Sequence, residues 1–85
     1  MEKIYKYPLA VQELQLIEIP IGSRVLSAQA QGDVPTIWAM HSQEEDKVNV
    51  EVRMVATGEE FEVEDWRFID TVQIGSFVWH VFMRE

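Results

Sequence analysis

Cysteine is absent from this chain. Without thiols, neither a disulfide nor a thiolate zinc site can staple the fold, a pattern that fits the cytosol. Long apolar runs are missing too: no stretch approaches the roughly 18 consecutive apolar residues of a membrane helix. The opening MEKIYKYPLA carries charge but no apolar h-region, so no signal peptide is expected there. Together these absences lead us to expect a cytoplasmic protein with no membrane partner.

Basic charge is scarce. Seven Lys and Arg stand against fifteen Asp and Glu, for a net charge of −8. Proteins hold backbone phosphates through Lys and Arg, so general nucleic-acid binding is disfavoured. Glycine is sparse, with four residues, and none of it builds a phosphate-cradling loop. A Gly-x-Ser-x-Gly elbow and a cysteine nucleophile are lacking as well. His41 and His80 do not have the i, i+4 spacing of a helical metal site, and the EED at 44–46 lacks the glycine and spaced oxygens of a calcium loop. The expectation is a protein that is not an enzyme, with no catalytic residues, no metal and no cofactor.

What is present is apolar and β-prone. The apolar fraction of 47% in 85 residues is that of one small folded domain, spanning 1–85. Turn signals divide it into segments rich in β-branched and aromatic residues. KIYKY (3–7) reads as a strand stopped by Pro8, and LQLIEI (14–19) as a second, although AVQEL (10–14) is open to reading as a short helical turn instead. SRVLSAQAQ (23–31) alternates, placing Leu26, Ala28 and Ala30 on one face. Gly32-Asp33 then turns the chain into VPTIWAMHS (34–42), with Thr36, Trp38 and Met40 opposite Ile37, Ala39 and His41. Pro35 there marks a strand start or an edge.

KVNVEVRMVA (47–56) is the clearest amphipathic strand, with Val48, Val50, Val52 and Met54 inward. WRFIDTVQI (66–74), Gly75-Ser76 and the final SFVWHVFMRE form a hairpin. The fold expected is all-β: a small antiparallel sandwich or barrel of six to seven strands joined by tight hairpins.

The last strand is apolar on both faces, Phe77, Trp79, Val81 and Met83 on one and Val78, His80 and Phe82 on the other. Both faces are therefore expected to be covered. The His80 side is covered either by a second subunit or by this chain, and a small unstapled domain favours homo-oligomers. His80 reads as a hydrogen-bonded interior residue or a functional one, and His41 as an exposed strand end or a functional one. Asp70 shares a face with Trp66, Phe68, Val72 and Ile74. It therefore needs Arg24, Arg53 or Arg67 as a partner, unless strand twist turns it outward.

Three tryptophans with Tyr5 and Tyr7 fill either the core and subunit interface or a planar-ligand site. In the ligand reading Tyr5, Tyr7 and Trp38 stack on a base; Lys6, Arg24 and Arg53 meet phosphates; Gln29, Gln31 and His80 supply polar contacts.

KIYKYPL (3–9), IEIPIGSRVLSAQAQGDVPTIWA (17–39) and FIDTVQ…VWHVF (68–82) resemble a family of small bacteriophage and prophage proteins without an established activity. The resemblance implies an accessory protein at work in the bacterial host cytoplasm. By analogy of size and context, it implies a homo-oligomer that sequesters a nucleotide-like host immune signal, such as an ADP-ribose-derived or cyclic nucleotide, at a subunit interface. The alternative is an acidic inhibitor that binds a host defence protein through EED and EEFEVED (59–65).

Overall fold

Alternating apolar and polar residues, punctuated by glycine turns, build seven strands and no helix among the described residues. The structure, a computed structural model, describes residues 1–42 and 46–84. In chain order the strands are β1 (Lys3–Pro8), β2 (Leu14–Pro20), β3 (Arg24–Gln31), β4 (Val34–His41), β5 (Lys47–Ala56), β6 (Arg67–Ile74) and β7 (Phe77–Arg84). AVQEL therefore holds no helical turn; it leads from Pro8 into β2, with Gln15 bracketing Ala10 by accepting from its N–H and donating to its carbonyl. Within the described residues, no helix is long and apolar enough to cross a membrane.

The strands form two antiparallel sheets, β1-β4-β3 and β2-β5-β7-β6. Their Cα envelope is only 16 Å thick in its thin dimension, which fits two layers about 10 Å apart. Gly32 (φ 62°) and Gly75 (φ 59°) supply the left-handed backbone that the β3–β4 and β6–β7 hairpins need. The remaining pairings are non-local: β1 pairs with β4, β2 with β5, and β5 with β7. Pro35 sits in β4, the central strand of its sheet, but as its second residue. A proline without an N–H is admitted at the first residues of a strand, and the Pro35 carbonyl still accepts from Leu9 N–H at 2.8 Å.

The core lies between the layers. Ile37 and Ala28 of the first sheet meet Val50, Val52, Met54, Val72 and Val81 of the second, all at 1% exposure or less. The inward alternation of β5 is as the sequence implies, and so are Trp79, Val81 and Met83 of the inner row of β7; Phe77, expected in that row, is instead 66% exposed at the start of the strand. Two bulges break the alternation elsewhere. One falls between Val25 and Ser27 in β3, so Val25 packs on the core and Leu26 is thrown outward, 45% exposed. The other falls between Phe68 and Asp70 in β6. It separates Phe68, 54% exposed, from Val72, which is buried. An extra residue reverses face parity for everything beyond it, which periodicity alone does not register.

The β6 bulge also decides the role of Asp70. Here the edges of the two sheets meet, since β3 runs alongside β6 without a ladder between them. The Asp70 carboxylate accepts from Ala28 N–H at 3.2 Å, from Gln29 Nε2 at 2.9 Å and from its own neighbour Thr71 N–H at 2.9 Å. No arginine pairs with it among the described residues. The side chain thus stands in for a missing strand pairing and satisfies an edge amide that burial would otherwise orphan.

The outer face of β7 is half-buried, and its Phe82 end is covered by its own chain. Phe61, from the acidic connection after β5, lies 4.7 Å from Phe82. Arg53 sits over the Phe61 ring at 4.8 Å and Arg84 over Trp66 at 4.1 Å. Beneath this layer Val55 is buried. The alternation of Phe61 and Val63 with carboxylates in EEFEVED is therefore a packed connection: Phe61 points down, and Glu60, Glu62 and Glu64 remain exposed.

Candidate ligand-binding face

Antiparallel register assigns each β-sheet residue to one of two faces, so the distribution of the candidate residues follows from strand pairing. On the outer face of the first sheet, Lys6 pairs across with Trp38, and Trp38 with Ser27. Arg24 lies beside Met40, Gln29 beside Thr36, and Gln31 beside Val34. Lys6, Arg24, Gln29, Gln31 and Trp38 are thereby gathered on one surface. Lys6 Nζ reaches over β4 to donate to Gln31 Oε1 at 2.9 Å. Gln29 is committed at its amide nitrogen to Asp70. The Arg24 guanidinium is exposed and has no partner among the described residues.

The charge of this face is unlike that of the chain. Its strand residues are Ile4, Lys6 and Pro8 on β1, Val34, Thr36, Trp38 and Met40 on β4, and Arg24, Leu26, Ser27, Gln29 and Gln31 on β3. None is acidic, although the protein carries −8. Ile4, Leu26 and Val34 leave apolar surface around Trp38 at 59%, 45% and 43% exposure. An indole with two cations on the same face, whose own strand positions carry no acidic residue, can stack a planar ring and attract a phosphate at once.

Tyr5 and Tyr7 occupy the opposite face of the same sheet, so a ligand on Trp38 does not reach them. They point inward and enclose His41, which is buried at 5% exposure rather than ending the strand in solvent. Tyr5 stacks on the imidazole at 4.4 Å, 7° from parallel. His41 Nδ1 lies 2.9 Å from the Ser42 carbonyl, and Nε2 is hydrogen-bonded to the Tyr7 hydroxyl. A carbonyl accepts only, so the proton sits on Nδ1 and Tyr7 donates to Nε2. Burial raises the Tyr7 hydroxyl above its ordinary value of 10.0, and a negative charge on Tyr5 would raise it further. The Tyr5 hydroxyl is buried and has no partner among the described residues. This cluster ties β1 to β4 and is a packing element.

Arg53 and His80 belong to a third place, the outer face of the second sheet. Arg53 is held by Glu13 at 2.9 Å and by the Phe61 ring. His80 bridges Thr57 Oγ1 (2.8 Å from Nε2) and Thr71 Oγ1 (3.0 Å from Nδ1). With both nitrogens engaged, the imidazole fastens the start of the β5–β6 connection to β6. Within the described residues, no group of His, Asp and Glu side chains is arranged to hold a metal.

The chain belongs to the domain of unknown function DUF7352, which matches residues 1–85. Neither the curated proteins nor the solved structures give a significant match.

For the DUF7352 chain, residue type alone groups Trp38 with Tyr5 and Tyr7. Strand parity separates them, and the odd–even offset between residues 5, 7 and 38 across the β1–β4 register was not readable before that pairing was known. Sequence reasoning also passed over the apolar frame of Ile4, Leu26 and Val34. The bulge in β3, which expels Leu26, leaves no local mark beyond an alternation that continues through it.

Proposed function

We propose that this protein is a non-enzymatic binding protein for a nucleotide-like anion, held on the outer face of the β1-β4-β3 sheet. The observation that carries the reading is the absence of acidic residues from the strand positions of that face in a chain of charge −8. Trp38 supplies the stacking surface, Lys6 and Arg24 the phosphate contacts, and Gln29 and Gln31 hydrogen bonds to a base edge. A phosphate arriving at Lys6 displaces Gln31 from its ammonium and frees that amide for the base.

The exposed Ile4, Leu26 and Val34 favour two copies closing over the ligand face to face, since a flat sheet alone leaves a stacked base open to water on one side. In the phage-accessory setting that the sequence resembles, such a dimer would act by sequestering a host signal. Calorimetry with a panel of ADP-ribose-derived and cyclic nucleotides, paired with light scattering, tests this. The expected result is micromolar or tighter binding by a dimer, weakened at least about tenfold in Trp38→Ala. A monodisperse monomer that produces no heat with any of the panel would refute it.

A second reading has its own observation. Glu60, Glu62, Glu64 and Asp65 are exposed above an anchored Phe61, forming an acidic ridge suited to a basic host protein. Of the acidic EED, Glu44 and Glu45 lie outside the described residues. Binding to one host protein that collapses between low and physiological salt would favour this reading.

A further inference from the structure

At one end of the sandwich the two layers part and leave a cavity of about 370 Å³. Its floor is formed by Ile19, Val50 and Met83, each at 3% exposure or less, together with Val25. The end of β2, the start of β3, the start of β6 and the end of β7 converge here. Its rim is polar. The chain enters β6 through Asp65, whose φ of 67° turns the backbone sharply. Past this turn, Asp65 and Arg67 both border the cavity, while Trp66 between them turns away to lie against Arg84.

The rim charges are not all available. Arg84 is bound to Glu51 at 2.9 Å and stacked on Trp66, and Ser23 Oγ donates to the Pro20 carbonyl. Arg67 and Asp65 remain. Both are exposed, they do not pair with each other, and neither has an ion-pair partner among the described residues. A hydrophobic floor below one free guanidinium and one free carboxylate is complementary to a small zwitterion with an apolar body. The volume lies at the small end of ligand pockets, which run from roughly 300 to 1,000 Å³.

We propose that this cavity binds an apolar α-amino acid, with its carboxylate forked by Arg67, its ammonium at Asp65, and its side chain on Ile19, Val25, Val50 and Met83. The fork geometry of arginine suits a carboxylate, and the apolar floor suits the side chain. A simple fatty acid would leave Asp65 facing its own like charge, and a simple amine would leave Arg67 unused. The site is separate from the Trp38 face, so either can fail without the other.

The test is methyl NMR of the full chain titrated with L-leucine, with 4-methylpentanoate and isopentylamine as single-charge analogues. Leucine is expected to give saturable shifts at the Ile19, Val50 and Met83 methyls, with the analogues at least about tenfold weaker. Arg67→Gln and Asp65→Asn should each weaken leucine by about tenfold or more. Both positions are exposed, and asparagine tolerates the positive φ at position 65, so unchanged melting temperatures serve as the folding control. Several results would overturn the assignment: no saturable methyl shift with leucine, isoleucine or methionine up to about 10 mM; equal binding by Arg67→Gln; or equal binding by 4-methylpentanoate.

Discussion

Replacing Asp70 tests how the two sheets are joined. In Asp70→Ala the Ala28 amide, in a residue with 0% exposure, loses its acceptor at 3.2 Å. A buried N–H left unpaired costs about 1–3 kcal/mol. The Gln29 contact is exposed, so its loss adds only a few tenths, roughly. The Thr71 N–H contact is local and partly replaceable by water. The sum is about 1–3.5 kcal/mol. A domain of this length has a total stability of roughly 4–13 kcal/mol, and each kcal/mol corresponds to about 4–8 °C in Tm.

Asp70→Ala should therefore melt roughly 4–28 °C lower, with exchange at the Ala28 amide strongly accelerated. Asp70→Asn keeps one acceptor oxygen for Ala28 but turns an NH2 toward other donors, so it should lose about half as much. Arg24→Ala and Arg67→Ala, which remove no partner of Asp70, should stay within about 0.5 kcal/mol of the parent. Urea denaturation with a constant m-value reads all four variants. The reasoning collapses if Asp70→Ala is as stable as the parent, or if Ala28 exchanges no faster.

Three further outcomes are expected. Ile37→Ala, at a fully buried site, should cost about 2–5 kcal/mol, while Leu16→Ala, 62% exposed, should stay within about 0.5 kcal/mol; chemical denaturation separates the two. The folded-state value of Tyr7 is raised, so its protonated form is favoured by folding. That contribution is complete below pH 10.0 and lost as pH rises from there through the folded value, and Tyr7→Phe should flatten this alkaline fall in urea midpoints. Gly75→Ala should destabilise by about 1 kcal/mol for backbone reasons alone, because φ is 59° and a Cβ there would meet nothing within 4 Å. Gly75→Asn should recover part of it in a thermal melt.

Much of the architecture was legible in advance. Alternation in KVNVEVRMVA places Val50, Val52 and Met54 in the core, and Gly32-Asp33 and Gly75-Ser76 form the two hairpins. Less of the candidate site was legible. Lys6, Arg24, Gln29, Gln31 and Trp38 do share a face, but Tyr5 and Tyr7 lie behind it, and Arg53 and His80 are bound up beneath the β5–β6 connection. Arg67 drew notice only as a possible partner for Asp70, whereas it stands over a cavity.

The division has a physical cause. Period-two alternation, turn glycines and charge are local properties, so the sequence alone determined that this chain makes short strands, where they turn, and that both sides of SFVWHVFMRE must be covered. Which strand lies beside which, and which face a residue takes after a bulge, depends on packing one core from segments distant in the chain. Tertiary structure therefore decided that Phe61 of this same chain lies over Phe82, that Asp70 bridges two sheet edges instead of pairing with an arginine, and that Trp38 faces outward.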